Sequence, residues 1–181
     1  MGIGIELIEE ELRALTPETP LFKIEKDSVE SAKQAREIAA SFYATAGSIL
    51  IGTEMASLYL SEPVEHTAIV SLDSLFSVPD FRIHEKILKI LLSVRSLATE
   101  TCVIQTRKPD EKIFTYATGG NSMEFYREEI KARKQFAYPP FRILIKITTS
   151  GNIFHIRPAM DEIVSMFHEY GAIAVEPLTL Q

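Results

Sequence analysis

The chain has one cysteine, Cys102, and no tryptophan among its 181 residues. A lone thiol excludes a disulfide framework and the multi-cysteine kind of zinc site. No apolar run approaches the ~20 residues needed to cross a bilayer. Residues 1–12 alternate isoleucine with glutamate, without the basic start and apolar core of a signal peptide. A cytoplasmic protein with no membrane partner is therefore expected. Basic charge is scarce as well: 19 Lys and Arg against 25 Asp and Glu leave a net charge of −6. Strong autonomous nucleic-acid binding usually goes with a basic domain, so any such role must use a local face.

Catalytic signatures are also missing. A P-loop needs a glycine-rich turn followed by Lys and Ser or Thr, whose amides and ammonium hold phosphates; no segment fits. Gly2-Ile3-Gly4 has no strand before it and reads as an ordinary turn, and Gly119-Gly120 has no lysine behind it and reads as a hinge. His66, His84, His155 and His168 show no paired ligand spacing, and there is no GxSxG elbow.

What remains is ordinary globular material, 46% hydrophobic and 24% charged, with an α/β rhythm. Phe22 to Ile24 is a short strand. Asp27 and Glu30 have capping-box spacing and open a helix whose Val29, Ala32, Ile38, Ala39 and Phe42 share a face until Gly47. Ser48 to Ile51 and residues 67–72 are apolar runs of the buried, two-sided strand type. Ile83, Ile87, Leu88, Leu91, Val94 and Leu97 trace one face of a long helix, and Thr101 to Thr106 is a β-branched strand. Residues 107–122 read as loop, and Glu124 to Gln135 as a charged helix stopped before Pro139 and Pro140. A strand over 141–149, a helix over 157–169 and a strand over 172–179 follow. The expected architecture is a parallel βαβ sheet to about residue 137 and a small β-α-β unit after it.

Two places carry candidate chemistry. Asp73 and Asp80 flank the end of a strand, where α/β sheets bind ligands, although helix-end electrostatics is the plainer account. From Arg127 to Arg142, Arg127, Lys131, Arg133, Lys134 and Arg142 are interleaved with Phe136, Tyr138 and Phe141. Cations that neutralise phosphate beside aromatic faces that stack bases make this the best nucleic-acid candidate. Pairing of Arg133 and Lys134 with Glu128 and Glu129 along one helix is the competing account.

In this stretch Phe125-Tyr126, Glu128-Glu129, Arg133-Lys134 and Tyr138-Pro139-Pro140-Phe141 resemble the FYxEE…RK…YPPF signature of the primosomal protein N′ family of replication-restart DNA helicases. Further matches stand in the family's order. Gly2, Gly4, Glu6, Glu9, Glu10 and Leu12 resemble GxGTExxEExL, with Ile5 in place of threonine. Lys23 to Asp27 resembles RIDRD, and Ile49 to Met55 resembles ILIGTQM. Pro79-Asp80-Phe81-Arg82 with Glu85 resembles PDFRxxE, and Val103 to Thr106 resembles VIIQT. The resemblance covers nearly the whole chain.

The resemblance implies that residues 1–137 form the second RecA-like lobe of a superfamily 2 motor, a parallel sheet flanked by helices. Residues 138–181 would begin the C-terminal domain. It implies nucleic-acid contacts at Thr53, Arg127, Lys131, Arg133, Lys134, Tyr138 and Phe141, with single-stranded or forked DNA, single-strand-binding protein and other primosome proteins as partners. ATP, magnesium and zinc serve the full-length family; the P-loop lobe and zinc cysteines precede the matched region there. No cofactor is expected for this chain, which is either an excised piece or a reduced relative.

The departures concern the motor. Where the family has a lysine, a glycine and then aspartate-phenylalanine-proline, this chain has Leu58-Tyr59-Leu60-Ser61-Glu62-Pro63, and only the proline survives. The family's QVAGRAGR aligns with Ser93 to Glu100, so its arginines fall on Leu97 and Glu100. An arginine finger contributes roughly 10³-fold or more by opposing developing phosphate charge; leucine cannot, and glutamate repels. The nucleotide-facing edge, Gly52, Arg95, Leu97 and Glu100, is thus degenerate. Three expectations follow: a lobe kept for DNA and partner binding, without ATPase activity of its own; a motor half working only with its other lobe through Arg95; or a structural protein-interaction module with an apolar Leu58-Tyr59-Leu60 patch.

Overall fold

A computed structural model of the chain describes residues 4–145, 147 and 150–171. They fall into two compact units, divided between Phe136 and Ala137.

In the first unit the expected elements recur with shifted ends. Strand β1 (Leu21–Ile24) pairs in parallel with β2 (Ile49–Gly52), and helix α2 (Ala32–Ala44) makes the crossover. Its cap is not the Asp27–Glu30 box. The helix starts later, at Ala32: the Ser31 hydroxyl accepts the Gln34 N–H at 3.2 Å and Gln34 Oε1 accepts the Glu30 N–H at 2.9 Å, while Asp27 lies in a turn closed by the Ser28 N–H on the Glu25 carbonyl. Ala35 and Ala39 lie against Ile24 and Ala56 in one small core.

Strand β3 (Val64–Ile69) pairs in parallel with β4 (Ala98–Ile104) through α3 (Ile83–Leu97). The α3 stripe expected from spacing is the larger core: Ile83, Ile87, Leu88 and Leu91 are buried against Ile69, Leu72, Ile113, Phe114, Ala117 and Phe125. At about 1.5–3 kcal/mol per fully buried side chain, this stripe is a leading source of the unit's stability.

Two further expectations are corrected in this unit. The strands form two two-stranded parallel sheets, β1-β2 and β3-β4, and not one continuous sheet. Accordingly β3 is not covered on both faces: Glu65, His66 and Ala68 are exposed. Second, residues 107–122 contain a helix, α4 (Lys112–Gly119). Ile113, Phe114 and Ala117 bury its inner face, and Gly120, at φ +68°, closes it with its N–H on the Tyr116 carbonyl. Gly120 is a left-handed helix cap, a conformation that costs other residues more. Residues 5–15, to which the sequence pattern assigns no element, fold as helix α1 (Ile5–Leu15). Lys23 on β1 reaches both Glu9 of α1 and Glu25 at 3.0 Å.

Helix α5 (Ser122–Gln135) is capped by Asn121, whose side chain accepts the Glu124 N–H. In the second unit α6 (Ile153–His168) is present. The strand expected over 141–149 is not formed by its described residues, 141–145 and 147, which have no hydrogen-bonded strand neighbour among the described residues. The strand expected over 172–179 lies outside the described residues. No helix among them is long and apolar enough to cross a membrane.

Candidate nucleic-acid and nucleotide-facing surfaces

The strands of a parallel pair all end on one side, so the loops after them share an edge. Here the ends of the two pairs are each held by their own bonds. After β2, Gly52 and Thr53 turn the chain, with the Ala56 N–H on the Thr53 carbonyl at 2.9 Å, and Thr53 is exposed. Only glycine fits at 52, since a Cβ there would stand 2.5 Å from Ala56 Cβ and 2.6 Å from the Ile24 carbonyl oxygen. Glu54 then pairs with Lys86 in the first turn of α3 at 3.0 Å, joining the end of β2 to the element entered from β3.

Asp73, following β3, fastens the end of β4. Its two oxygens accept from the Thr106 hydroxyl at 2.7 Å and the Arg107 backbone N–H at 2.8 Å. The Thr106 bond, then the Arg107 N–H, hold this carboxyl below its usual range. Lys108 donates its N–H to the Thr106 hydroxyl and sets its ammonium 5.1 Å from the centre of the Phe76 ring. Spacing could not show this turn, because Asp73 and Thr106 are 33 residues apart. Asp80 accepts the Arg82 N–H at 2.9 Å, so helix-end bonding accounts for it.

The stretch Arg127 to Arg142 crosses the boundary between the two units. On α5, Arg127, Lys131 and Lys134 are exposed, and Arg127 lies 3.7 Å from Glu124. Arg133 differs. Its side chain is only 12% exposed; Nε donates to Glu129 at 2.9 Å, and Nη2 is 2.9 Å from Glu85 on α3, an ion pair without hydrogen-bond alignment. Its guanidinium also sits 5.1 Å from the Phe81 ring centre. Burial opposes the charge most, but Glu129 and Glu85 together outweigh it and hold Arg133 firmly protonated. The competing account, pairing along the helix, therefore describes Arg133. In the second unit, Tyr138 to Phe141 is a turn closed by the Phe141 N–H on the Tyr138 carbonyl at 3.0 Å. Both aromatic rings are partly exposed.

The nucleotide-facing candidates do not converge on a phosphate cradle. Arg95 Nη1 donates to the Ala117 carbonyl at 2.8 Å, satisfying the end of α4. Leu97 closes α3 half-buried, and Glu100 on β4 lies exposed 4.0 Å from His66. A leucine, a carboxylate and an arginine already bonded to a carbonyl do not fit a nucleotide's phosphates. Among the described residues, no group of three His, Cys, Asp or Glu is placed to hold a metal ion.

No protein-family model matches the chain. Individual proteins do. It is 31% identical to the replication restart protein PriA of Chlamydia trachomatis over 156 residues, 83% of this chain and 21% of that protein. It is 30% identical to that of Borreliella burgdorferi over 152 residues, 80% of this chain and 22% of the relative. The Bacillus subtilis protein matches at 27% over 155 residues, 82% and 19% respectively. The chain thus spans about a fifth of the length of the curated relatives it matches. With ordered motifs, parallel strand pairs and these matches together, the chain is a distant homologue of the PriA replication restart proteins.

Proposed function

We propose that this chain is a RecA-like second helicase lobe with the opening of a C-terminal domain, serving replication restart by binding DNA and partner proteins without hydrolysing ATP on its own. The observation that carries the second half of this reading is the replacement of the family's two finger positions by Leu97 and Glu100, with the adjacent Arg95 bonded to Ala117. Support for the first half is the matching order of motifs over four-fifths of the chain and the two parallel βαβ units.

In this reading Thr53 and the exposed cations Arg127, Lys131 and Lys134 meet the phosphates of single-stranded or forked DNA, and Tyr138 and Phe141 offer ring faces to bases. Arg133 holds the helix that presents the cations. Single-strand-binding protein and other primosome proteins are the proposed protein partners, in the cytoplasm. ATP, magnesium and zinc are assigned to the rest of a full-length motor and to no residue here.

The test is paired. The lone chain is expected to bind a fluorescent single-stranded oligonucleotide in a salt-sensitive manner and to show no ATPase activity, with nucleotide leaving the affinity unchanged. Turnover of ATP by the lone chain would overturn the reading, as would absence of DNA binding at low salt. Joined to a P-loop lobe, ATPase activity lost on Arg95→Ala would favour a motor half over a silent lobe.

A further inference from the structure

The exposed cations of the first unit that enter no salt bridge include two consecutive residues after β4, Arg107 and Lys108. On α5 the fold spends Arg133 on two carboxylates and sets Arg127 beside Glu124. Arg107 and Lys108 are both exposed, and among the described residues neither side chain enters a salt bridge. Yet their backbone is held firmly: Asp73 bonds the Arg107 N–H, Thr106 bonds the Lys108 N–H, and the Lys108 carbonyl accepts the Glu111 N–H at 3.1 Å. Phe76, packed on Phe114 and His84, lies under the Lys108 ammonium. The one carboxylate inside the turn has both oxygens engaged with donors.

We infer that Arg107 and Lys108 form a phosphate-contact point for a single-stranded polynucleotide running along the strand-end edge from Thr53. This rests on the DNA-binding reading above and adds residues to it. Two sets of contacts hold this edge: Glu54, next to Thr53, pairs with Lys86 at the start of α3, and Asp73 ties the chain after β3 to Thr106 and Arg107 after β4. A fixed backbone carrying exposed cationic side chains suits phosphate recognition, because binding orders only the side-chain ends. Asp110 and Glu111 follow the turn and weaken the local field, so neutralising them strengthens binding.

The experiment measures binding of the whole chain to a fluorescent oligothymidine across a salt series. Arg107→Gln with Lys108→Gln is compared with Lys33→Gln plus Arg36→Gln on α2, which removes the same charge elsewhere. Loss of two contacts should flatten the slope of log affinity against log salt by about 1.4, at about 0.7 per phosphate on a single strand. The α2 variant should keep the parent slope. Equal slopes for all three proteins overturn this inference and leave the DNA-binding reading standing; no binding by the parent chain defeats both. Circular dichroism distinguishes lost contact from lost fold, and Asp110→Asn with Glu111→Gln, expected to bind more tightly, provides a gain that misfolding cannot mimic.

Discussion

At the scale of single residues, Arg133 shows how far a sequence pattern can mislead. In a string of cations it looks like one more phosphate ligand; in the fold it is the least exposed of them and grips Glu85 and Glu129. Nothing in the sequence marks Glu85, 48 positions away by numbering, as its partner. Arg133→Ala is expected to destabilise the first unit by about 2–4 kcal/mol, since removing one member of a largely buried pair strands the other charges. Arg133→Lys should recover little, because an ammonium cannot serve two carboxylates and a ring face together. Urea denaturation monitored by circular dichroism measures both. Asp73 gives a pH test. Its carboxyl is held below its ordinary value of 3.8 by the Thr106 hydroxyl and the Arg107 N–H. A depressed folded value means the stabilisation is present above the unfolded value and lost as pH falls through the folded one. Below about pH 4 the parent should therefore lose stability faster than Asp73→Asn, as seen in melting temperatures from pH 5 to 2. Identical acid profiles would refute this assignment.

At the scale of elements, apolar periodicity was legible and pairing was not. The α3 stripe could be written down before any coordinates, because about four turns of helical spacing point to one buried face. Helix α4 could not, because Lys112–Gly119 is short and sits among charged and glycine residues that signal loop; its inner residues gain from a core built by distant elements. Nor does a strand's sequence say which edge it presents, which is why one sheet was expected and two pairs formed. Gly52 belongs to this scale. Its resemblance to a motif glycine suggested a nucleotide edge, while the geometry shows a close backbone approach to Ile24 and Ala56. Gly52→Ala should cost about 1–3 kcal/mol by overpacking, read as a lower melting temperature of the lone chain without ligand. An unchanged melting temperature would mean the β2 turn relaxes freely.

At the scale of the whole molecule, the two units differ in how much they bury. The first holds two apolar cores. In the second, no described residue is buried, and Ile143, Phe154 and Tyr170 are at least four-fifths exposed. Protection against amide exchange follows buried contact. Amides of residues 87–91 are therefore expected to exchange at least about tenfold more slowly than those of residues 157–167, although both segments are helical. Hydrogen exchange with mass spectrometry on the whole chain measures this, and equal protection would contradict it. The kinship with PriA was readable from motif order.

The grip of Arg133 also has a consequence for descent. Three positions on two helices share one charge balance, so none can drift alone: loss of the cation leaves two carboxylates, and loss of either carboxylate leaves a cation half-answered. Among relatives, residues matching 85, 129 and 133 should change as a set or not at all, whatever happens to the surface lysines beside them.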